Sequence, residues 1–142
     1  MVQEVFVDAG FWIALFNPRD EHHAEARDIW REVVSHQWPT VTTNWTLYEA
    51  LTFLSCSLRR HDRAVEAYDF VSRLSEIVPV EGAQLEERSL EIFRRHSDKR
   101  WSLVDCANFA CIERRESELA LSYDNNFQQA RVEFGFNRWM PQ

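Results

Sequence analysis

Cysteine, glycine and proline are all scarce in this chain. Its 142 residues include three cysteines, Cys56, Cys106 and Cys111. Their odd number and the lack of a Cys-x-x-Cys pair argue against a disulfide framework or a zinc site. We therefore expect free thiols, buried at Cys106 and Cys111, and a reducing cytoplasmic environment. With three glycines, four prolines and 45% hydrophobic residues, the composition is that of a folded globular protein rather than a disordered one.

Long hydrophobic runs are also absent. The longest apolar run, residues 9–16, is broken at Asn17 and Pro18. A helix that spans a bilayer needs about 20 apolar residues, so this run predicts no membrane span. The N-terminal residues lack a basic stretch followed by an apolar one, and nothing in them indicates export.

Positive charge is in short supply as well. The formal net charge is −7, whereas proteins that bind nucleic acids usually present a basic face. Lys99 is the only lysine, so arginine supplies nearly all the positive charge. The planar fork of arginine suits phosphate, although a codon bias would produce the same skew.

Short apolar segments alternate with amphipathic ones along the whole sequence. We predict strands at residues 4–8, 40–43, 76–80, 119–123 and 136–140. We predict helices over 11–16, from 20 onward, over 46–58, from 62 to 74, from 82 to about 96, from 102, and after 124. Such alternation is typical of an α/β sandwich with a parallel sheet. No linker or repeat divides the chain, so residues 1–142 are predicted to form one domain.

Four acidic residues fall at or just beyond the ends of predicted strands. Asp8 ends the first strand, and Glu49 lies in the first turn of the helix after the second strand. Asp105 lies in the first turn of a later helix, and Asp124 follows the strand at 119–123. Ligands of open α/β sheets bind at the carboxyl ends of the strands. Converging carboxylates repel one another unless protons or cations neutralise them, which favours a Mg²⁺ or Mn²⁺ site.

Each of these acids also has a purely structural interpretation. Glu49 follows Thr46, and Asp105 follows Ser102, at the spacing of a helix capping box. Asp124 has the position of a helix N-cap. For any single acid the structural role is favoured, and only the coincidence of four argues for a site. If they form one cluster, the remainder of the chain carries a net charge of −3 rather than −7.

Five segments resemble, in the same order, the motifs of the PIN-domain family, most closely its VapC-type toxin ribonucleases. Residues 5–15 resemble the opening strand and helix, 20–26 the second helix, 42–49 the segment with the second acid, 101–105 the third motif and 120–127 the fourth. The chain departs from the family pattern at Ala9, where Thr or Ser is common, and at Asn126, where His is usual.

The resemblance implies a three-layer α/β/α fold with a short-stranded, mainly parallel central sheet. It also implies a four-acid site that binds one or two Mg²⁺ or Mn²⁺ ions. Asp8 and Asp105 would be the main ligands, Asp124 would complete the site, and Glu49 would ligate or orient the attacking water. Ser102 and Asn126 would support these groups.

The function implied by the resemblance is hydrolysis of phosphodiester bonds in structured RNA, such as a tRNA or ribosomal RNA. It further implies a homodimer and a cognate antitoxin whose tail covers the acidic site. An arginine of that tail would pair with the carboxylates.

A short basic segment next to the third motif is the candidate RNA contact. Arg94, Arg95, Lys99 and Arg100 could grip the phosphate backbone, and Trp101 could stack on a base. Solvated helix faces are the alternative explanation for such charge pairs.

Two other protein classes need residues at positions where this sequence lacks them. A phosphatase of the haloacid dehalogenase type needs Asp-x-Asp at the first strand end, and Asp8-Ala9-Gly10 lacks the second acid. A receiver domain fails because no acidic pair precedes Asp8 and Lys99 lies before the last strands. A non-catalytic PIN-like module that binds RNA or protein, and a structure-specific DNA nuclease, remain open.

Overall fold

Five short strands form one sheet at the centre of the protein, in the order β3-β2-β1-β4-β5. The computed structural model describes residues 3–139. The strands are β1 (Val5–Val7), β2 (Thr40–Thr43), β3 (Ser75–Val78), β4 (Leu119–Leu121) and β5 (Asn137–Arg138). All four pairings between neighbouring strands are parallel. The carboxyl ends of all five strands therefore meet at one edge of the sheet.

Within residues 3–139, seven helices connect and flank these strands. They are α1 (Ala9–Phe16), α2 (His23–Ser35), α3 (Asn44–Thr52), α4 (His61–Leu74), α5 (Arg88–Arg95), α6 (Leu103–Arg115) and α7 (Asn125–Phe134). A π-helical turn, Phe53–Ser57, extends α3, and another, Ala83–Glu87, leads into α5. Helix α7 ends at Gly135, whose φ of 70° lies in the left-handed region that glycine adopts without a steric penalty.

The alternation of side chains in β1 sorts the helices into two layers. Val5 and Val7 face a core shared with α1 to α4, whereas Phe6 faces a core shared with α5, α6 and α7. Because successive residues of a strand point to opposite faces, a run of three apolar residues must be covered on both sides. The three-layer α/β/α arrangement and the parallel sheet are thus confirmed.

Aromatic side chains fill the core between the sheet and α6. Phe109 lies at its centre, with its ring centroid 4.9 Å from that of Trp101, 5.1 Å from that of Phe127 and 5.5 Å from that of Phe134. Edge-to-face and offset contacts at such distances stabilise a core beyond the area that they bury. This packing fixes α6, whose first turn carries Asp105, against the sheet.

Several element boundaries differ from the predictions. Helix α3 begins at Asn44, not at Thr46, because the Thr43 hydroxyl accepts a hydrogen bond from the Thr46 backbone N–H at 3.1 Å and caps the helix. Helix α2 begins at His23 rather than at residue 20. The strands predicted at 4–8, 76–80 and 119–123 are shorter than expected or shifted, as the bounds of β1, β3 and β4 show. The last strand was predicted over 136–140, and residue 140 lies outside the described part of the chain.

Two predictions made from composition concern the cysteines and membrane-spanning helices. All three cysteines are free, with Cys106 and Cys111 buried as predicted and Cys56 exposed. Within residues 3–139, no helix has the length and apolar character needed to cross a bilayer.

Candidate active site

Asp8 is the most deeply buried of the four candidate acids. It follows β1 directly, and only 6% of its surface is exposed. Its Oδ2 accepts a hydrogen bond from the Ser122 hydroxyl at 2.9 Å, and its Oδ1 accepts one from Asn108 Nδ2 at 3.3 Å. Burial raises the pKa of Asp8 to about 7, because the charged form loses its hydration, and the hydrogen bond from Ser122 opposes that shift.

Asp105 caps its helix and also lies at the candidate site, next to Asn126. Its Oδ2 accepts hydrogen bonds from the Ser102 backbone N–H and from Asn126 Nδ2, each at 3.0 Å. The Ser102 hydroxyl in turn accepts from the Asp105 N–H, which completes the predicted capping box at the start of α6. Burial raises the pKa of Asp105, and the nearby Asp124 adds to this shift, while the bonds from Ser102 and Asn126 oppose it.

Asp124 likewise caps a helix while lying at the site. Its Oδ1 accepts a hydrogen bond from the Asn126 N–H at 2.9 Å at the start of α7, and its own N–H donates to the Ser122 hydroxyl at 3.0 Å. Ser122 therefore bridges the loop that holds Asp124 and the carboxylate of Asp8. Asp124 itself is exposed.

Glu49 lies in the second turn of α3, not in the first turn as predicted, because the helix starts at Asn44. The proposed capping box from Thr46 to Glu49 is wrong for the same reason: Thr43 is the cap residue. The side chain of Glu49 is exposed, yet neighbouring protein atoms remove part of its hydration and raise its pKa. The charges of Asp105 and Asp124 raise it further, so Glu49 lies within electrostatic reach of both.

Mutual repulsion links all four acids. Asp105 and Asp124 raise the pKa of Asp8 and of Glu49, and Asp124 raises that of Asp105. Within residues 3–139, no three His, Cys, Asp or Glu side chains already stand as close together as ligands of one ion. Carboxylates that repel one another at the rim of a sheet have the hard oxygen donors that Mg²⁺ and Mn²⁺ prefer, and a cation would offset the repulsion. The donor set therefore fits such an ion.

Three polar residues at this site were not singled out from the sequence. Asn108 and Ser122 hold Asp8, and Thr46 donates a short hydrogen bond to Asn108 Oδ1. Each is less than 5% exposed. The only signal in the sequence was an asparagine inside the otherwise apolar run 106–112, one turn after Asp105.

The basic candidates for RNA contact lie along the chain that leads into α6. Arg94 and Arg95 end α5, and Arg95 pairs with Glu91 of the same helix at 3.6 Å. Lys99 pairs with its neighbour Asp98 at 3.5 Å.

Arg100 has the most direct connection to the acids. Its carbonyl oxygen accepts a hydrogen bond from Asn126 Nδ2 at 3.4 Å, and that amide also donates to Asp105. Of the four basic candidates, the structure thus ties Arg100 to the site by a recorded contact.

The sequence suggested that Trp101 could stack on a base, but the structure contradicts this prediction. Its side chain is 5% exposed, packs on Phe109 and donates from Nε1 to Gln129 Oε1 at 3.0 Å. The prediction failed because a tryptophan beside charged residues can equally well anchor the loop into the core beneath it.

Residues 5–133 match the PIN domain family. The chain is 36% identical to the 23S rRNA-specific endonuclease VapC20 of Mycobacterium tuberculosis over 130 residues. This match covers 89% of this chain and 93% of that protein. The crystal structure of VapC20 from the same organism, described as a sarcin-ricin loop cleaving toxin, superposes with a TM-score of 0.83 at 31% identity and covers 96% of this chain and 99% of that one.

A more distant solved structure shares the fold. A toxin–antitoxin complex from Klebsiella pneumoniae matches with a TM-score of 0.64 at 16% identity, over 97% of this chain and 98% of that one. The chain therefore belongs to the PIN-domain family, within its branch of VapC-type toxin ribonucleases.

Proposed function

We propose that this protein is a Mg²⁺- or Mn²⁺-dependent endoribonuclease that cuts structured RNA and acts as the toxin of a toxin–antitoxin pair. The observation that carries the proposal is the group of four mutually repelling acids, Asp8, Glu49, Asp105 and Asp124, at the carboxyl edge of the sheet. Between the RNA classes implied by the family, the likeness to VapC20, named for its action on 23S rRNA, favours ribosomal RNA over tRNA.

The four acids would divide the work of holding the metal and the water. Asp8 and Asp105 would be the main ligands, Asp124 would complete the site, and Glu49 would ligate or orient the attacking water. A bound divalent ion would lower the pKa of its water and neutralise charge that develops on the phosphate. Ser122 and Asn108 orient the Asp8 carboxylate, while Ser102 and Asn126 orient that of Asp105.

A cognate antitoxin is the proposed protein partner. The four acids gather negative charge at one rim of the sheet, and an arginine side chain is a strong hydrogen-bond partner for carboxylates. An antitoxin tail that presents arginine would therefore compete directly with the metal. A homodimer is a further proposal, and it rests on the family resemblance alone.

Cleavage of purified RNA tests the proposal. The wild-type protein and the Asp8→Asn variant would be incubated with ribosomes, naked 23S rRNA, tRNA and single- and double-stranded DNA, each with Mg²⁺, Mn²⁺ or EDTA. Cut positions would be mapped by primer extension. We expect discrete metal-dependent cuts in 23S rRNA by the wild type and at least a 100-fold loss in the variant, because Asp8 lies at the centre of the site.

Asp69→Asn is the matched control, since it makes the same chemical change at an exposed position on α4. It should cleave like the wild type. Identical traces from the wild type and from Asp8→Asn would indicate a contaminant and would contradict the proposal. Tight RNA binding without metal-dependent cleavage would favour a non-catalytic module, and cleavage of DNA alone would favour a DNA nuclease.

A further inference from the structure

Asn108 is a buried amide in a helix face that is otherwise apolar. Residues 106–112 of α6 are all buried, and Asn108 is the one polar side chain among them, with 0% exposure. A buried amide costs free energy unless its donors and acceptor are bonded. The amide of Asn108 meets this demand through Asp8 on one side and Thr46 on the other.

The two bonds fix which way the amide faces. Thr46 Oγ1 donates to Asn108 Oδ1, which leaves the Nδ2 group of the amide to face Asp8 and donate to its Oδ1. Thr46 is itself 0% exposed, so no bulk water competes for its hydroxyl. With Ser122 bound to Oδ2 and Asn108 to Oδ1, both oxygens of Asp8 are held.

The same bonds join three elements that carry site acids. Thr46 lies three residues before Glu49 on α3, and Asn108 lies three residues after Asp105 on α6. Helical residues three apart lie on the same side of a helix, one turn from each other. The contact between Thr46 and Asn108 therefore sets the distance between the turns that carry Glu49 and Asp105, at a point where Asn108 also touches Asp8.

We propose that Asn108, locked in place by Thr46, is a positioning residue that orients Asp8 for the metal and fixes the spacing between Glu49 and Asp105. This inference rests on the proposed metal-dependent function. Hydrogen-bond partners behind metal ligands typically contribute about 10- to 100-fold to metal affinity or activity. Asn108 and Thr46 contact the site acids rather than the substrate, so their effect should fall on metal binding and turnover and not on RNA affinity.

Isosteric variants separate this role from general stability. Thr46→Val removes the hydroxyl and keeps the volume, whereas Thr46→Ser keeps the hydroxyl. Asn108→Asp keeps the shape but presents an oxygen to Asp8 in place of the donor. Ser89→Ala is the control, because it removes another fully buried hydroxyl, one that donates to the Leu85 carbonyl instead of to a residue that contacts the acids.

Mn²⁺ binding to the full-length protein, measured by isothermal titration calorimetry without RNA, is the first readout. Thr46→Val and Asn108→Asp should weaken Mn²⁺ binding at least tenfold and lower kcat for 23S rRNA with KM within about twofold of the wild type. Thr46→Ser should stay within about threefold of the wild type in both. Ser89→Ala should lower the melting temperature as much as Thr46→Val and leave Mn²⁺ binding unchanged.

The outcomes separate this inference from the proposed function. Wild-type Mn²⁺ affinity in both Thr46→Val and Asn108→Asp would overturn the positioning role while the metal-dependent function stands. An equal loss in Ser89→Ala would overturn it too, because the effect would then follow stability. A wild-type protein that binds no Mn²⁺ would overturn the proposed function and the positioning role together.

Discussion

At the scale of single residues, Asp8 shows the opposing demands on this site most clearly. Folding places its carboxyl group under the end of β1, where burial raises its pKa to about 7. Metal binding requires the charged form. Ser122 and Asn108 each donate a hydrogen bond to it, which favours the carboxylate without removing the cost of burying the charge. The ionised carboxylate of Asp8 therefore lowers the stability of the fold, and the proposed cation would offset this cost.

The stability cost of Asp8 should depend on pH in a defined direction. Its pKa of about 7 in the folded state lies above the ordinary value of 3.8 for an aspartate, so between these values the folded state holds a proton that the unfolded state has lost. The contribution of Asp8 to the free energy of unfolding is thus fully present below about pH 4, and it is lost as the pH rises through about 7. The wild type should lose on the order of 4 kcal/mol relative to Asp8→Asn across this range.

Urea unfolding in EDTA at intervals from pH 4 to pH 8 measures this difference. The comparison with Asp8→Asn cancels the titration of groups that do not interact with Asp8, and the difference that remains includes the coupling of Asp8 to Asp105 and Asp124. A difference in unfolding free energy that stays constant with pH would mean that folding leaves the pKa of Asp8 unchanged. The burial described for Asp8 would then have no electrostatic consequence.

At the scale of elements, α6 links the two edges of the sheet. Its first turn holds Asp105 at the carboxyl edge, and Arg115 in its last turn binds acids at the opposite edge. The Arg115 guanidinium makes paired hydrogen bonds to Glu4, at 2.7 and 3.0 Å, and to Glu76, also at 2.7 and 3.0 Å. These bonds tie α6 to the chain just before β1 and to β3. The position of Asp105 is thereby fixed from the far end of its own helix.

Loss of the hydrogen bonds from Arg115 to Glu4 and Glu76 should lower the free energy of unfolding and leave the proposed cleavage activity unchanged. The hydrogen bonds from Arg115 lower the pKa of Glu4, so the stabilisation is present above the unfolded pKa of Glu4 and is lost as the pH falls through the lower folded value. Arg115→Gln should lower the free energy of unfolding by about 1–2 kcal/mol at pH 7, and by less near pH 3, because the groups are only partly buried. Chemical unfolding at the two pH values measures this.

Arg114→Gln provides the matched control on the neighbouring position of α6, where the side chain is exposed. It should change stability by less than about 0.5 kcal/mol. An Arg115→Gln protein that keeps wild-type stability would show that the paired bonds add nothing to the fold. Cleavage per folded molecule should be the same in all three proteins.

The order of elements could be predicted from the sequence because apolar periodicity is a local property. Their exact ends could not, because competing caps decide them. Thr43 and Thr46 both have the chemistry of an N-cap, and only the end of β2 shows that Thr43 takes the role. The π-helical turn Phe53–Ser57 has no sequence signature, so one continuous helix was predicted there.

At the scale of the whole molecule, the site was predictable where the chain order alone decides it. Parallel strands bring their carboxyl ends to one edge, so acids that follow strands must converge whatever the details of packing. The contacts of Asn108 with Asp8 and Thr46 join residues that are 100 and 62 positions apart. No local pattern encodes such pairs, because they depend on the register between helices on opposite layers.

The charge of the whole molecule bears on the proposed function, since a protein of net charge −7 would have to bind RNA. Attraction to phosphate must then come from a few local cations and from any bound metal. Arg95 and Lys99 already pair with Glu91 and Asp98, and each such partner weakens the field that reaches the solvent. Arg100 is exposed, and its backbone is bonded to Asn126 beside Asp105.

Arg100 should therefore contribute more to RNA affinity than the other basic residues near the site. Arg100→Ala should raise KM for 23S rRNA about three- to tenfold with little change in kcat, and it should reduce the slope of log affinity against log salt by about 1. Arg73→Ala, at the end of α4 near the opposite edge of the sheet, is the control and should change neither quantity. The measurement is a titration of RNA affinity between about 50 and 200 mM salt. Over this roughly fourfold range, one lost phosphate contact changes the affinity about threefold. An unchanged slope in Arg100→Ala would mean that the RNA approaches the acids from another side. The same titration of Arg94→Ala and Arg95→Ala would then show whether either of these residues contacts the RNA.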